Sequence, residues 1–579
     1  MAQKANGASR IRFISFIVIV LATGYIARLF VLQVVHGKEL AQTAADQFVA
    51  VDVINFNRGS IYFTERNGNR VSAATLKERY LIAINPQELT DPEVAYEALN
   101  AIATTSRGVF MEAALRVNDP YEEVGVTYDR AISTKIRQLG IRGLETYPTY
   151  ERYYPSGLRA AQVLGFLGYT SESGDTRIGR YGLEQQFDRE LQRSGKDARV
   201  NVFAEIFASV KSKIVGASVD DTFDIITTIE PTVQSYLEAE LDTIQEEYRG
   251  KRVGAIIIEP KTGEVRAMAA LPTFDPNNFQ AAEGSEVYIN PLVQYVYEMG
   301  SVIKPLTLAA GLDAGVITPN TTYFDTGTRT IGDYTIANYD GKARGTVNIQ
   351  EILNQSLNIG TVYVAEQLGE DLFREYFNRY RLGRLTGIEL PGEVAGLTDN
   401  LTSHRFIERA TASFGQGIAM SPIAFVQALT ALANDGVMVR PRVVKSLQYE
   451  DGTIKDKEPV AMGLPIKPET AETITRMLVR VVDEALLGGS VSLSEYSIAA
   501  KTGTAQIAKP GGGYYDDRYL HSFFGYFPAY DPKFLVFLYI NEPQEAQYAS
   551  QTLTHPFMRL ASFLLNYYEV PPDRGEGTI

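Results

Sequence analysis

The sequence predicts a multidomain α+β protein with a single transmembrane helix at its N-terminus. Three observations lead to this fold class. The chain has 579 residues, which is enough for about three or four domains of ordinary size. Residues 13–27 carry no charge, and short β-like runs mix with helical runs along the rest of the chain. The hydrophobic fraction of 45% and the charged fraction of 21% are typical of folded globular proteins.

Composition narrows the chemistry that the chain can perform. Its 55 Lys and Arg residues against 69 Asp and Glu residues give a net charge of −14, so there is no basic excess for binding nucleic acid. The absence of cysteine excludes disulfides and thiolate nucleophiles. We expect neither a metal site nor a histidine catalyst, because the four histidines are far apart in the sequence: His36, His404, His521 and His555.

The uncharged run is interrupted by Arg28 and then continues. If Arg28 extends towards an interface, residues 13–35 are long enough to cross a hydrocarbon layer of about 30 Å. Three basic residues precede the run. The positive-inside rule therefore predicts residues 1–12 in the cytoplasm and everything after the anchor outside.

A cleaved signal peptide and a buried core helix are the alternatives to this anchor. Ala22-Thr23-Gly24 offers a small-residue cleavage site, but the apolar run continues beyond it. The N-terminal position and the basic flank argue against a core helix. We therefore predict an uncleaved anchor.

Residues 36–223 predict an α+β spacer or interaction domain. Val51–Val71 indicates two strands joined by an Asn-Gly turn. Helical spacing predicts helices over Pro92–Arg107 and Ile132–Leu139, and again within Arg152–Gly168 after a Pro-x-Gly turn. This region contains no cluster of potential catalytic groups.

Residues 224–568 predict a larger α+β domain. A strand ends near Ile229, and an amphipathic helix begins at Pro231, since proline is favoured in a first helical turn. Val253–Ala270 then indicates a hairpin with a Pro-Lys-Thr-Gly turn. The remaining residues, 569–579, predict a flexible tail.

The first candidate for chemistry is Ser301-Val302-Ile303-Lys304, at the start of a predicted helix that ends near Gly315. Positions three apart share one helix face, so Lys304 could accept the proton of Ser301. A buried lysine with a lowered pKa can act as a base without histidine, and the helix dipole favours a developing alkoxide. Alone, Ser-x-x-Lys is a common chance pattern, and the serine could simply cap the helix.

The second candidate is Ser356-Leu357-Asn358, between two helical runs. Its hydroxyl and amide could relay a proton and orient a lysine. A polar turn between helices is the alternative.

The third candidate is Lys501-Thr502-Gly503-Thr504 in a predicted strand. Glycine inside a strand often marks close approach by a ligand backbone. The lysine and the two hydroxyls could hold a carboxylate. A positively charged edge strand is the alternative.

Taken in order, the three candidates match the S-x-x-K, S-x-N and K-T-G motifs of penicillin-binding proteins and β-lactamases. The chain resembles the class B penicillin-binding proteins, which are monofunctional peptidoglycan transpeptidases. Further motifs similar to the family are Arg58-Gly59-Ser60-Ile61, Arg66-Asn67-Gly68, Arg152, Tyr154-Pro155, Gly157, Gly182-Leu183-Glu184, Pro260-Lys261-Thr262-Gly263, Pro272-Thr273-Phe274-Asp275-Pro276-Asn277 and Gly415-Gln416-Gly417.

The resemblance implies a fold in three parts. It implies the membrane anchor, an extended α+β pedestal domain over residues 36–223, and a transpeptidase domain over residues 224–568. The last domain would have the penicillin-binding or serine β-lactamase-like fold, an antiparallel sheet flanked by helices.

The resemblance also implies a mechanism. Ser301 attacks the bond between two terminal D-alanines of a peptidoglycan stem peptide, with Lys304, Ser356 and Asn358 as the other catalytic residues. Backbone N–H groups of Ser301 and Thr504 form the oxyanion hole. The substrate carboxylate is held by Lys501, Thr502, Gly503 and Thr504. No cofactor or metal is implied, and β-lactams would acylate the serine.

Details of sequence favour the division-type branch over the elongation type. They are the Glu298-Met299-Gly300-Ser301 context, Asn rather than Asp at position 358, and the Ala-Ala-Lys-Thr-Gly-Thr-Ala-Gln run. The implied partners are donor and acceptor stem peptides, a polytopic glycan polymerase and other division membrane proteins, at the outer face of a bacterial plasma membrane. A side-wall transpeptidase, a membrane-anchored β-lactamase or sensor, and an inactive division scaffold are the alternatives.

Overall fold

The computed structural model describes residues 13, 16–25, 28, 31, 57–169, 177–193 and 222–575. It divides into two compact units. Of the described residues, the first unit contains those up to Asn57 and Leu76–Glu151, and the second contains Arg58–Thr75, Arg152–Arg193 and the chain from residue 222 onward. The sequence predicts the domain boundary near residue 223, and this boundary stays a prediction.

The first unit is a small α+β structure. Its strands are the last part of Arg70–Ile84, then Glu122–Thr127 and Leu144–Tyr153, and its helices are Pro92–Asn100, Arg107–Ala114 and Arg130–Gln138. Ile82 and Leu99 belong to its apolar core, together with Phe110. The helix predicted over Pro92–Arg107 is wrong in length, because it ends at Asn100 and a second helix begins at Arg107.

A five-stranded antiparallel sheet forms the centre of the second unit. Its order in space is Ala499–Ala508, Tyr514–Phe527, Phe534–Asn541, Arg252–Ile258 and Val265–Leu271. The last three strands carry mostly apolar residues on both faces of the sheet, because helices cover both faces. Pro231–Tyr248 and Thr554–Tyr567 cover one face, whereas Lys304–Asp313 and Pro422–Thr430 cover the other. Alternation within a strand separates the two cores: Phe523 belongs to one and Phe524 to the other.

Further strands of the second unit belong to other sheets. Ile61–Thr64 pairs with the start of Arg70–Ile84 and, in parallel, with Phe223–Thr227. The other strands of the second unit are Phe166–Tyr169, Arg177–Arg180, Thr322–Asp325, Thr328–Ile331, Tyr334–Ala337, Gly345–Asn348, Met438–Val439, Val444–Tyr449, Ile454–Asp456 and Ala461–Gly463.

The remaining helices of the second unit are mostly short. They are Ala161–Leu164, Gly182–Gln186, Asp188–Leu191, Pro291–Gln294, Gln350–Asn354, Asn358–Arg379, Phe406–Ala412, Pro468–Arg480 and Ala549–Thr552. Helical turns of other types are Pro276–Ala281, Ser285–Tyr288, Gly300–Ile303, Asp399–Thr402, Val481–Ala485 and Leu486–Gly489.

Several local predictions are confirmed. Asn67-Gly68 forms the turn between two antiparallel strands, with Gly68 at φ 87°, although residues 51–56 lie outside the described part. The helix at Pro231 runs to Tyr248, and the Glu230 side chain accepts a hydrogen bond from the Val233 amide at its first turn. The predicted hairpin consists of Arg252–Ile258 and Val265–Leu271.

One local prediction differs from the structure. The helical spacing after Pro155 produces only one turn, Ala161–Leu164, before the strand Phe166–Tyr169 begins. The flexible tail over residues 569–579 stays a prediction, although part of it contacts the second unit. Val570 is buried, and the Asp573 carboxylate accepts a hydrogen bond of 2.7 Å from the Ser497 amide. Residues 576–579 lie outside the described part.

Of the predicted anchor over residues 13–35, the structure describes residues 13, 16–25, 28 and 31. The rest of it lies outside the described residues, as do residues 1–12 and His36. Within it, residues 16–25 are helical and exposed, with Leu21 68% exposed. Among the residues that the structure describes, no helix is both long enough and apolar enough to cross a membrane.

Candidate active site

All three sequence motifs meet at one cleft of the second unit. The cleft has a volume of about 1040 Å³ and is lined by Ser301, Ser356 and Asn358, and by three residues of the third motif, Lys501, Thr502 and Thr504. The motifs come from parts of the chain more than 50 and more than 140 residues apart, so only the tertiary fold brings them together.

Ser301 lies in a helical turn, Gly300–Ile303, that leads directly into the helix Lys304–Asp313. The predicted helix is confirmed, and Gly315 follows its end with a φ of 72°. In the described part of the chain, no group hydrogen-bonds to the Ser301 hydroxyl. The hydroxyl therefore reaches the cleft without a protein partner that would compete for its proton.

Lys304 is completely buried at the base of the cleft. Its Nζ donates to the Ser356 carbonyl at 2.5 Å and to Asn358 Oδ1 at 2.8 Å, and the Ser356 hydroxyl lies 3.3 Å away. Burial holds the pKa of this amine well below its usual value, and the nearby Lys501 lowers it further. A neutral amine has two hydrogens and one lone pair. The two carbonyl oxygens take the hydrogens, so the lone pair is left for a hydroxyl proton.

Ser356 and Asn358 are positioned by the junction of two helices. Gln350–Asn354 ends before the motif, and Asn358 begins the helix Asn358–Arg379. Ser356 has a φ of 53°, which is a strained backbone conformation for a residue other than glycine. The motif is thus an interhelical turn, as the alternative interpretation proposed, and it also contacts Lys304.

The third motif lies in the edge strand Ala499–Ala508 of the central sheet. Lys501 and Gly503 are on its buried face, while Thr502 and Thr504 are partly exposed and line the cleft. This alternation follows from the two-residue period of a strand. The strand and its internal glycine are confirmed.

Gly503 faces the chain's own backbone. A Cβ atom at this position would lie 2.5 Å from Ser522 Oγ and 3.0 Å from the Met299 carbonyl oxygen. The Ser522 hydroxyl itself donates to the Met299 carbonyl at 2.9 Å. The missing side chain therefore lets the strand pack directly against the turn that holds Ser301.

Lys501 is only 3% exposed, and its Nζ donates to the Thr502 carbonyl at 3.2 Å. Burial lowers the pKa of its amine to about 7. In the described part of the chain it has no acidic partner within ion-pair distance. A buried cation of this kind is suited to an anionic ligand, because the ligand would replace the solvation that the amine has lost.

The sequence did not predict several walls of the cleft. One wall is the hairpin around Tyr334–Ala337, and another contains Tyr514, whose hydroxyl lies 3.2 Å from Glu298 Oε1. A third contains Tyr548, which follows Gln547, whose carbonyl oxygen lies 3.2 Å from the buried His521 Nε2. None of these residues belongs to a chemical motif. The alternation of residues around Gly332-Asp333 is the one local signal that could have indicated the hairpin.

His521 is neutral and structural. It is fully buried, its Nδ1 lies 3.0 Å from Thr552 Oγ1, and its Nε2 lies 3.2 Å from the Gln547 carbonyl oxygen. Burial lowers its pKa to about 4. Among the described residues, no group of three or more His, Asp or Glu side chains could hold a metal ion.

A second set of motif residues meets away from the cleft. Arg58 and Arg152 donate to opposite oxygens of the Glu184 carboxylate, at 2.7 and 2.6 Å, and the Tyr154 hydroxyl lies 3.2 Å from it. All four side chains are buried. Burial alone raises the pKa of Glu184, but Arg152 and Arg58 outweigh this effect and lower it. Asn277 adds two hydrogen bonds of 2.9 Å to the Tyr154 backbone.

Comparison with protein families gives two matches. The model of the penicillin-binding protein transpeptidase domain matches residues 253–560, which is more than half of the chain. The model of the penicillin-binding protein dimerisation domain matches residues 53–213.

Individual proteins are similar over most of their length. Stage V sporulation protein D of Bacillus subtilis is 28% identical, with 94% of this chain and 82% of that protein covered. Peptidoglycan D,D-transpeptidase FtsI of Escherichia coli is 26% identical, with 94% and 89% covered.

Solved structures share the fold. Penicillin-binding protein 2X of Streptococcus thermophilus superimposes with a TM-score of 0.74 at 22% identity, covering 90% of this chain and 81% of that one. Penicillin-binding protein 3 of Mycobacterium tuberculosis, solved with aztreonam, gives a TM-score of 0.67 at 24% identity, covering 90% and 97%.

Proposed function

Because this chain belongs to the penicillin-binding proteins that carry a transpeptidase domain, we propose that it is a serine peptidoglycan D,D-transpeptidase. It cross-links peptidoglycan stem peptides through an acyl-enzyme on Ser301. The contacts of Lys304 are the observation that carries the proposal. A buried amine one helical turn after Ser301, with its hydrogens directed to Ser356 and Asn358, fits a general base for a serine nucleophile.

In the acylation step, Ser301 Oγ attacks the carbonyl carbon between two terminal D-alanines. Lys304 accepts the hydroxyl proton. The backbone N–H groups of Ser301 and Thr504 stabilise the oxyanion. The peptide C–N bond then breaks, and the terminal D-alanine leaves as an amine after Ser356 passes it a proton. Lys304 gives Ser356 the proton that it took from Ser301. A new ester joins Ser301 to the donor peptide.

In the second step an amine of a neighbouring stem peptide attacks this ester. The new amide bond forms as the Ser301–carbonyl bond breaks, and the proton returns to Ser301 through Lys304. Asn358 orients Lys304 and binds the substrate amide during both steps. Binding energy is thus used to align two peptides in one cleft.

Lys501, Thr502, Gly503 and Thr504 bind the terminal carboxylate of the donor. Thr502 and Thr504 lie on the exposed side of the strand, where their hydroxyl groups can donate. The buried Lys501 supplies the charge. A β-lactam carries a comparable carboxylate, so the same strand binds it while Ser301 is acylated.

The cellular setting is part of the proposal. Residues 13–35 anchor the chain in a bacterial plasma membrane, with the catalytic domain on the outer side, where peptidoglycan is found. A polytopic glycan polymerase supplies the strands to be cross-linked. Replacing the anchor by an unrelated apolar helix should keep penicillin binding but fail to complement a depletion strain. Full complementation would show that the anchor is only a tether.

Septal wall synthesis during division is the proposed role. The support is the division-type sequence context of Ser301, Asn358 and Lys501. A fluorescent fusion should concentrate at midcell in dividing cells. Uniform side-wall fluorescence would instead favour the elongation type.

The test of the activity is covalent labelling with a fluorescent penicillin. Wild type should form a stable adduct on Ser301, located by mass spectrometry, and Ser301→Ala should form none while it stays folded. A matched serine on the same cleft but outside the motifs, Ser550, gives the control Ser550→Ala, which should label like wild type.

The fate of the label separates the alternatives. Stable label supports a transpeptidase. Rapid loss by hydrolysis would indicate a β-lactamase, and no label on folded protein would indicate an inactive scaffold. An adduct on another serine would refute the assignment of Ser301.

A further inference from the structure

Asn358 is held by a second asparagine, Asn338, which follows the cleft-lining hairpin strand Tyr334–Ala337. The Asn338 carbonyl Oδ1 accepts a hydrogen bond of 3.2 Å from the Ile359 amide. This amide belongs to the first turn of the helix that begins at Asn358, where backbone N–H groups have no partner within the helix. Leu357, at the N-cap position, cannot accept a hydrogen bond with its side chain. Asn338 therefore caps this helix from outside.

The residue before Asn338 holds the side chain of Asn358. Asn358 Nδ2 donates to the Ala337 carbonyl at 2.8 Å. Because the amine end of this amide points to Ala337, its carbonyl end points to Lys304, from which it accepts the 2.8 Å hydrogen bond. Residues 337 and 338 thus fix both the backbone and the amide orientation of Asn358.

A buried carboxylate fixes Asn338 in turn. Asp325 is completely buried, and Asn338 Nδ2 donates to its two oxygens at 3.0 and 2.9 Å. The Arg344 amide adds a third hydrogen bond of 3.0 Å. The Arg344 guanidinium itself is occupied by Asp340 and Gln355.

The charge of Asp325 decides which way the Asn338 amide faces. An ionised carboxylate only accepts hydrogen bonds, so the amine end of Asn338 must face it. The carbonyl end must then face the Ile359 amide. A neutral side chain at position 325 that could also donate would allow the Asn338 amide to reverse. Its amine end would then face the Ile359 amide, so two donors would be directed at each other.

We propose that Asp325 and Asn338 are positioning residues for the reaction, which orient Asn358 towards Lys304 without touching the substrate. This inference rests on the proposed function, since it concerns the same acylation step. The buried charge of Asp325 sets the orientation of Asn338, Asn338 sets the start of the helix, and Asn358 presents one acceptor to the Lys304 amine. If that acceptor is misplaced, the lone pair of the Lys304 amine no longer points at the hydroxyl proton of Ser301.

The experiment measures the second-order rate of acylation by a fluorescent penicillin in the full chain. Asn338→Ala should slow acylation by about 10- to 100-fold, the usual cost of a small displacement of a catalytic group. Asp325→Asn should slow it in the same direction. The matched control is Thr330→Ala, an exposed position on the same hairpin whose hydroxyl contacts only Thr335 in the described structure. It should acylate within about twofold of wild type.

A double-mutant cycle separates positioning from loss of stability. In a chain that already carries Asn358→Ala, Asn338→Ala should change the rate less than about twofold, because the residue that it orients is gone. Equal slowing with and without Asn358 would overturn the proposal, and so would single variants that acylate at the wild-type rate. Failure of wild type to acylate would refute the proposed function itself.

A double variant that exchanges the residues at positions 325 and 338 tests the proposal even if the single variants fail to fold. Asn338→Asp alone places two carboxylates together and should lower both the melting temperature and the acylation rate. Adding Asp325→Asn restores one donor and one acceptor between the positions, and the carboxylate introduced at position 338 can still accept from the Ile359 amide. Recovery of most of the acylation rate in the double variant supports the proposal. Recovery of the melting temperature without the rate would overturn it.

Discussion

At the scale of single residues, two lysines share the cleft but need opposite charge states. Lys304 must be neutral to accept a proton, whereas Lys501 must be charged to bind a carboxylate. Both are buried, and burial lowers both pKa values. They differ in their surroundings. Lys304 donates to two oxygens of the second motif, whereas Lys501 donates to the Thr502 carbonyl and lines the cleft.

Lys304→Arg should lower the acylation rate by about 10²- to 10⁴-fold, the usual contribution of general base catalysis. Arginine keeps a positive charge and cannot be deprotonated in proteins. The measurement is acylation by fluorescent penicillin, with the melting temperature as the check on folding. If the variant acylates within a few-fold of wild type, Lys304 acts as an electrostatic anchor and not as the base.

Lys501→Arg should change the pH profile. In wild type, Lys501 is protonated below its pKa of about 7 and neutral above it, so carboxylate binding should weaken as pH rises through the neutral range. Arginine stays charged at every pH in use, so the variant should lose this alkaline decline, even if its affinity is lower. The measurement is the second-order acylation rate against pH.

The control for this profile is Lys509→Arg, at an exposed position beyond the end of the same strand. It should keep the wild-type profile. A wild-type rate that does not decline on the alkaline side, or a decline that persists in Lys501→Arg, would contradict the assigned role of Lys501.

At the scale of elements, the edge strand and the serine turn work as one packed pair. Gly503 allows their contact through its missing side chain. The turn is fixed from the other side as well, since the Gly300 amide donates to the Gly415 carbonyl at 3.1 Å. The strand and the turn are thus held at a fixed separation. The cleft is lined by this pair and by the helix junction that contains Ser356.

Gly503→Ala should destabilise the second unit by about 1–3 kcal/mol, because the added methyl group overpacks a closed contact. It should also slow acylation by displacing the strand from Ser301. Urea unfolding and penicillin labelling measure the two effects. Gly108→Ala is the matched control: a Cβ atom there would have its nearest contact at 3.9 Å, so stability should stay equal or rise slightly. Equal stability of both variants would contradict the packing argument.

The sequence predicted the elements that carry the motifs better than the contacts between them. The central hairpin, the helix after Pro231 and the strand of Lys501 follow from apolar runs and proline or glycine signals. The contact between Met299 and Gly503 does not follow from the sequence, because no local pattern indicates which backbone lies beside a glycine. The same holds for Asn338, whose role depends on a carboxylate 13 residues earlier.

At the scale of the whole molecule, residues predicted in the pedestal contribute to the compact unit that contains the cleft. Arg58–Thr75 and Arg152–Arg193 belong to it. They share its apolar core, which includes Phe63, Val163 and Phe166, and the buried Glu184 joins Arg58 to Arg152. Glu184 thus forms ion pairs with two arginines from parts of the chain 94 residues apart, and Asp188 adds a second carboxylate beside Arg58 at 2.9 Å.

Glu184→Gln should destabilise this unit by about 3–5 kcal/mol, because it leaves the buried Arg152 guanidinium without a counter-charge and Arg58 with Asp188 alone. The wild-type pKa of Glu184 is lowered. Its stabilisation is therefore complete above the unfolded pKa of about 4.3 and is lost as pH falls through the lower folded value. Urea unfolding at neutral and acidic pH measures both effects.

Glu93→Gln provides the control, since it removes one partner of an exposed ion pair with Arg107. Its effect on unfolding should be small at every pH. If Glu184→Gln unfolds like wild type at neutral pH, the three-residue cluster does not stabilise the unit.

The contacts of residues 570–575 have a practical consequence for engineering this chain. Asp573 holds the Ser497 amide, and Ser497 lies two residues before the strand that carries Lys501. Arg574 forms an ion pair of 2.6 Å with Asp483, close to the cleft-lining residue Val481. A truncation placed after Tyr568 for expression would thus loosen the start of the substrate-binding strand. Shortened versions should keep residues 570–575, and an affinity tag or reporter should be joined beyond them.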